Sequence, residues 1–236
     1  MMTELTLPII GYMHSSYKEK FGIPRQPNLV QVESYIEMLA PYNDVLAFEG
    51  IEAFSHLWLV WQFHDNKNPE KNQFRPQVRP PRLGGNKKIG VFATRSMYRP
   101  SPIGLSVVKL KCVKKEGRSV RVYVTGSDLL DGTPIVDIKP YIHYSDVVID
   151  AESGYAQDEP KRKSVIWSDR AIEQKQQLLM SEKLSVQTAQ ELEAVLSLDP
   201  RPAYQDDEAR VYKMKFAAVD IAFTVGETTV NITAVE

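Results

Sequence analysis

Cysteine is nearly absent from this chain of 236 residues, with Cys112 the one example. A single thiol excludes an intramolecular disulfide and every zinc site built from several cysteines. Cys112 lies among apolar neighbours in a strand-like stretch, so it is expected to be buried rather than nucleophilic. Long hydrophobic runs are missing too. The longest, such as Leu57 to Trp61, fall far short of the roughly 20 apolar residues that cross a bilayer. The N-terminus also lacks the basic-then-apolar pattern of a signal peptide. A cytoplasmic protein with no membrane contact is therefore expected. The sequence contains no GxGxxG, no phosphate-loop pattern, no GxSxG and no HExxH, which removes the signatures of the commonest nucleotide and hydrolase sites. His14, His56, His64 and His143 are too scattered to read as a metal site, and no metal is expected.

Net charge is nearly absent as well, at −1, but the balance is uneven. Residues 1–149 hold 19 Lys/Arg against 14 Asp/Glu, a balance of +5, whereas residues 150–236 hold 10 against 16, a balance of −6. Between Lys67 and Pro100 lie Lys67, Lys71, Arg75, Arg79, Arg82, Lys87, Lys88, Arg95 and Arg99, with Glu70 the one acid. Such a field attracts a polyanion, and its arginines can grip phosphates. A solvated basic loop is the plainer alternative.

What is present in quantity is short apolar runs with turn punctuation. Leu5 to His14, Phe54 to His64, Ile89 to Ala93, Leu105 to Lys115, Ser119 to Gly126 and Pro134 to Tyr141 read as strands, and Val30 to Ala40 as one or two helical turns. With no repeated βα alternation, a β-barrel or sandwich is expected rather than a doubly wound sheet. After Asp150 the texture changes. Residues 151–164 read as a linker, and residues 165–236 as a small α+β domain. That domain has helices over Ser168 to Ser181 and Ser185 to Leu198, then strands over Val211 to Ala218, Val219 to Val225 and Thr229 to Val235.

The most distinctive stretch is Gly90 to Ser106, a turn with two arginines and two prolines between apolar runs. Pro100 and Pro102 stiffen it, so Arg95 and Arg99 sit on a rigid loop suited to a ligand. The same residues are equally compatible with a structural crossover. Asp128, Asp131 and Asp137 cluster near an Asp-Gly turn, where paired carboxylates can supply a base.

Phe21-Gly22-Ile23-Pro24-Arg25-Gln26-Pro27, Phe54-Ser55-His56-Leu57-Trp58 running to Phe63-His64, Gly90 to Ser106, and Asp128 to Asp146 resemble, in order, the motifs of the TsaA-like family. Its characterised bacterial members are S-adenosylmethionine-dependent tRNA N6-methyltransferases of the TrmO type, acting on N6-threonylcarbamoyladenosine at position 37, beside the anticodon. The resemblance spans about residues 5–150. It reaches more weakly into Asp199-Pro200-Arg201-Pro202-Ala203-Tyr204, and departs from the family at Met97 and Ser101. It implies a mainly β fold whose N-terminal barrel, residues 1–150, binds the cofactor without a Rossmann fold, and a homodimer with the cofactor near the subunit interface. Carried over by motif, the cofactor contacts are Pro24, Arg25, Gln26, His64, Asp65, Arg95, Leu105, Asp128, Leu129, Leu130 and Asp131.

Since the carbonyl substituent makes N6 a poor nucleophile, a base, or hydrogen bonds favouring loss of its proton, would help, and Asp131 is the candidate base with Asp137 or a water as rivals. Arg95 is the other candidate catalytic residue, in direct contact with the cofactor. Arg99 or Arg25 can pair with the threonyl carboxylate. Arg75, Arg79, Arg82, Lys87, Lys88 and Arg99 are the candidate RNA contacts. A non-catalytic RNA-binding barrel and a methyltransferase for a small molecule remain as alternatives.

Overall fold

The computed structural model describes residues 5–65, 74–202, 205 and 207–236. Lys67, Glu70 and Lys71 of the basic segment, and Ala203 and Tyr204 of the tail motif, lie outside the described residues. Apolar alternation at period two makes the first part of the chain a set of strands. These are β1 (Gly11–His14), β2 (Glu33–Met38), β3 (His56–Gln62), β4 (Gln77–Val78), β5 (Ile89–Gly90), β6 (Ile103–Glu116), β7 (Ser119–Thr125) and β8 (Pro134–Pro140). Six of them close a barrel in the order β1-β2-β7-β6-β3-β8, with β8 returning to β1 and every pair antiparallel. Ile36, Leu57, Leu59, Val108, Val122 and Ile135 fill the interior, and closure leaves no edge to be protected. The remaining pair, β4 and β5, forms a small two-stranded arm.

The expected mainly β architecture with a barrel is what the chain adopts, but several local expectations change. Residues 30–40 form no helix. Ser34, Ile36 and Met38 bury at alternate positions, and pairing with β1 and β7 overrides helix propensity. Ile89 to Ala93 is not a buried strand either. Pairing stops at Gly90, Val91–Ala93 forms a 3-10 turn, and Phe92 is 72% exposed. The first strand is shorter than expected, because Leu5 and Leu7 lie exposed before it. Cys112 is half-buried, not buried, at a bulge where β6 loses register with β7.

After the barrel come the one-turn helix α1 (His143–Asp146), β9 (Ser164–Trp167), α2 (Asp169–Met180), α3 (Val186–Leu196), β10 (Tyr212–Phe216), β11 (Val219–Val225) and β12 (Thr229–Val235). Ser168 and Ser185 cap the two long helices by accepting from the Ala171 and Thr188 amides. The strands form a sheet ordered β10-β11-β12-β9, in which β9, unforeseen in the sequence, runs parallel to β12. Leu192, Leu196, Phe216, Phe223 and Ile232 make a second core, and Tyr17, Val30 and Val32 from ahead of β2 enter it. Tyr17 bridges to Phe216, while its carbonyl accepts from the Asp131 amide at 2.9 Å. Residues 17–32 therefore fasten the barrel to the tail sheet.

Candidate active site

A cavity of about 510 Å³ opens where four separate stretches of sequence meet. The first is the loop carrying Ile23, Pro24, Arg25 and Gln26, with Lys20 just ahead of it. Gly22 lets that loop leave at φ +90, and a Cβ there would stand 2.6 Å from Met214 Cε on β10, so the loop is pinned against the tail. The second stretch is the end of β3, which brings in Trp58, Trp61, Phe63 and His64. Trp61 and Phe63 meet edge to face at 4.5 Å.

The third stretch is the loop with Thr94, Arg95, Met97 and Arg99, running on into Ile103, Gly104 and Leu105 of β6. Arg95 Nη1 donates to Gln26 Oε1 at 2.5 Å, which ties this loop to the first. Arg99 turns inward instead. Its Nη1 donates to the carbonyls of Thr94 at 2.9 Å and Ser96 at 3.4 Å, so it lines the cavity and staples its own loop. Gly104 has no room for a side chain, since a Cβ would stand 2.3 Å from the Trp61 indole. Gly104→Ala is expected to displace Trp61 and destabilise the protein by about 1–3 kcal/mol, as overpacking does. Thermal unfolding beside intrinsic tryptophan fluorescence checks it, and an unchanged melting temperature would contradict it.

The fourth stretch is the turn before β8, which contributes Asp128, Leu130 and Thr133. Trp61 Nε1 donates to Ser106 Oγ at 3.0 Å, and Ser106 Oγ donates to Asp128 Oδ1 at 2.6 Å. Burial pushes the Asp128 carboxyl above the ordinary range, and the Ser106 hydrogen bond and the Arg95 charge pull it partly back. Burial moves His64 the other way. It lowers the imidazole pKa, with Lys20 adding to the effect, while a hydrogen bond to the Asp131 carbonyl and the charges of Asp65 and Asp131 oppose it.

Of the residues expected to contact a cofactor, Pro24, Arg25, Gln26, His64, Arg95, Leu105, Asp128 and Leu130 line this one cavity. Leu129, Asp65 and Asp131 do not. Leu129 is 1% exposed and faces the barrel core. Asp65 stands beside Lys20, whose Nζ donates to its carbonyl at 2.6 Å. The Asp131 carboxylate accepts from the Ser15 amide at 2.9 Å and pairs with Lys18 Nζ at 2.9 Å. Asp137 is paired with Lys139 on β8, away from the lining. Sequence reasoning assigned no site role to Trp58, Trp61, Phe63, Thr94 or Ser106. The aromatic spacing just ahead of His64 is the signal that could have found the first three.

The other candidate RNA contacts occupy the arm. Arg75 stacks on Tyr98 at 4.1 Å, Arg79, Lys87 and Lys88 are exposed, and Arg82 donates to the Asp158 carbonyl. A second cleft of about 430 Å³, between the first loop and Leu198 to Pro202 of the tail, shares Lys20, Ile23, Pro24 and Arg25 with the first cavity. Among the described residues there is no group of three or more His, Cys, Asp or Glu able to hold a metal ion, and no helix is long and apolar enough to cross a membrane.

Residues 12–147 match the model of the tRNA-methyltransferase O N-terminal domain, and residues 160–236 that of the TrmO C-terminal domain. The chain is 45% identical over 208 residues to the tRNA (adenine(37)-N6)-methyltransferase of Escherichia coli, covering 88% of this chain and 86% of that one. A Pseudomonas aeruginosa protein whose name describes an S-adenosylmethionine-dependent methyltransferase is 43% identical, covering 93% and 92%. The crystal structure of TrmO from Pseudomonas aeruginosa superposes with a TM-score of 0.78 at 34% identity, covering 100% of this chain and 99% of the other.

Proposed function

Because the chain belongs to the tRNA-methyltransferase O family, we propose that it is an enzyme transferring the methyl group of S-adenosylmethionine to N6 of the adenosine at position 37 of tRNA. The observation that carries this reading is the convergence of four distant loops on one cavity that holds both a guanidinium and a half-buried carboxyl. The donor set suits the cofactor. Trp58, Trp61 and Phe63 offer aromatic surface for an adenine, Arg95 offers a partner for a carboxylate, and Asp128 faces positive charge. When bound, S-adenosylmethionine supplies a methyl group already activated by its sulfonium charge.

The protein's own task is then alignment, exclusion of water and movement of one proton. Gln26 holds Arg95, and Ser106 with Trp61 behind it holds Asp128. Trp61, Phe63 and Ile103 supply apolar wall. His64 is the proton acceptor in this reading. With one ring nitrogen donated to the Asp131 carbonyl, the other keeps its lone pair. Asp131 contributes that carbonyl, while its carboxylate is engaged by Ser15 and Lys18.

A depressed imidazole pKa has a clear consequence. The base stays neutral to lower pH than an ordinary histidine, so kcat/KM is expected to fall on the acid side only below the usual histidine range. A pH–rate profile reads this directly. An acid limb at or above the ordinary histidine value would remove His64 from the role.

The form acted on is N6-threonylcarbamoyladenosine in the anticodon loop. Lys20 and Arg25 at the cavity support this, since a threonyl carboxylate needs such cations. Purified protein, cofactor and tRNA with or without the group decide the matter. Modified tRNA should yield a nucleoside heavier by one CH₂, and equal methylation of tRNA lacking the group would refute the substrate. The reading also has the enzyme work in the cytoplasm as a homodimer. The dimer is supported by apolar Tyr144 and Ile149, 90% and 94% exposed near α1, where Asp146 accepts from Trp58 of the cavity.

A further inference from the structure

Two phenylalanines on the basic arm have no part in either core. Phe74, just ahead of β4, is 50% exposed, and Phe92, just after β5, is 72% exposed. Their ring centroids stand 6.3 Å apart with planes tilted by 32°. The backbone beneath them is fixed. The Val91 amide donates to the Pro76 carbonyl at 3.0 Å, the Arg75 amide donates to the Tyr98 carbonyl at 3.1 Å, and Val91 is 1% exposed. The pair is therefore presented to solvent by a rigid turn. Its position is also defined relative to the cavity, because the Thr94 amide closes onto the Val91 carbonyl and Thr94 and Arg95 line the wall.

From this geometry we infer that Phe74 and Phe92 form a stacking platform for unpaired nucleobases of the RNA substrate beside the cavity mouth, an inference that rests on the tRNA reading above. Exposed apolar pairs of this kind mark a binding surface. Unpaired bases are held by aromatic faces flanked by cations that track the phosphates. Residues 74–93 carry Arg75, Arg79, Arg82, Lys87 and Lys88 and no acid. That charge suits a polyanion. It also opposes a second copy of the arm, since a twofold contact would set the same cations against each other.

The test is fluorescence anisotropy with a labelled short single-stranded RNA of anticodon-loop sequence, with S-adenosylhomocysteine saturating. The F74A/F92A double variant is expected to bind about 5- to 150-fold more weakly, the range for lost base stacking. Its salt dependence should keep the slope of the unsubstituted protein, because no phosphate contact is removed. F92W should bind at least as well as the original. RNA affinity unchanged in the double variant would overturn the platform. So would a fall in mass by sedimentation equilibrium, which would assign the surface to a second copy. Failure of the unsubstituted protein to bind S-adenosylmethionine, measured separately, would instead strike the methyl-transfer reading and leave the RNA measurement standing.

Discussion

Exchanging His64 for glutamine is expected to lower the rate of methyl transfer by about 10²- to 10⁴-fold, the usual contribution of a positioned general base. Glutamine keeps a polar group of similar reach and can still donate to the Asp131 carbonyl, but it is not basic. The loss should therefore fall on the chemical step and not on binding. Single-turnover kinetics would show the slow step, while calorimetry would show methyl-donor affinity within a few-fold of the original. His64 is only half-buried, and removing it leaves the barrel core of Leu57, Leu59 and Trp61 intact. If the variant turned over at the original rate, the proton would have to leave by another route. Asp128 is then the remaining titratable acid in the lining.

Arg95→Ala is expected to act on the other half of the problem. A hydrogen bond to a charged group contributes about 1.5–3 kcal/mol, so methyl-donor affinity should fall by roughly 10- to 150-fold, with a smaller effect on a turnover measured at saturation. The guanidinium also helps to keep the half-buried Asp128 carboxyl ionised, and its loss lets that pKa rise further. Arg99→Ala should behave differently. Its Nη1 is spent on the Thr94 and Ser96 carbonyls, so it loosens the loop that carries Arg95 and weakens donor and RNA together. Titration of each variant with the methyl donor and, separately, with tRNA distinguishes the two cases. Undiminished affinity in Arg95→Ala would take the donor's carboxylate elsewhere.

Much of this site was legible before any coordinates, because loops rich in Pro, Arg, His and Asp between apolar runs stand out from strands. Pro24, Arg25, Gln26, His64, Arg95 and Asp128 share one cavity although more than a hundred residues separate the ends of that set. What was not legible depended on facing. A motif does not say which way each side chain points, so Leu129 and Asp131 were grouped with Asp128, although one lines the core and the other ties the turn to Ser15. Phe92 sat inside an apolar run and read as buried. Only the end of pairing at Gly90 turns it outward. β2 buries alternate residues, and there helix-forming composition obscured that period of two. β9 is four residues long and gains its identity from a partner more than sixty residues away, information no local window holds.

The dependence of Tyr17, Val30 and Val32 on the tail core sets an order of events during synthesis. On the ribosome, the barrel strands can pair once β8 has emerged, since all six are then available. Residues 17–32 still lack the tail surface they pack against, and the loop bearing Pro24, Arg25 and Gln26 is held by barrel-side contacts alone, such as Arg95 to Gln26 and Asn28 to Gly126. That surface is completed only when β12 joins the tail sheet. A nascent chain can thus possess a finished barrel while the first wall of its cavity still lacks the support of the tail.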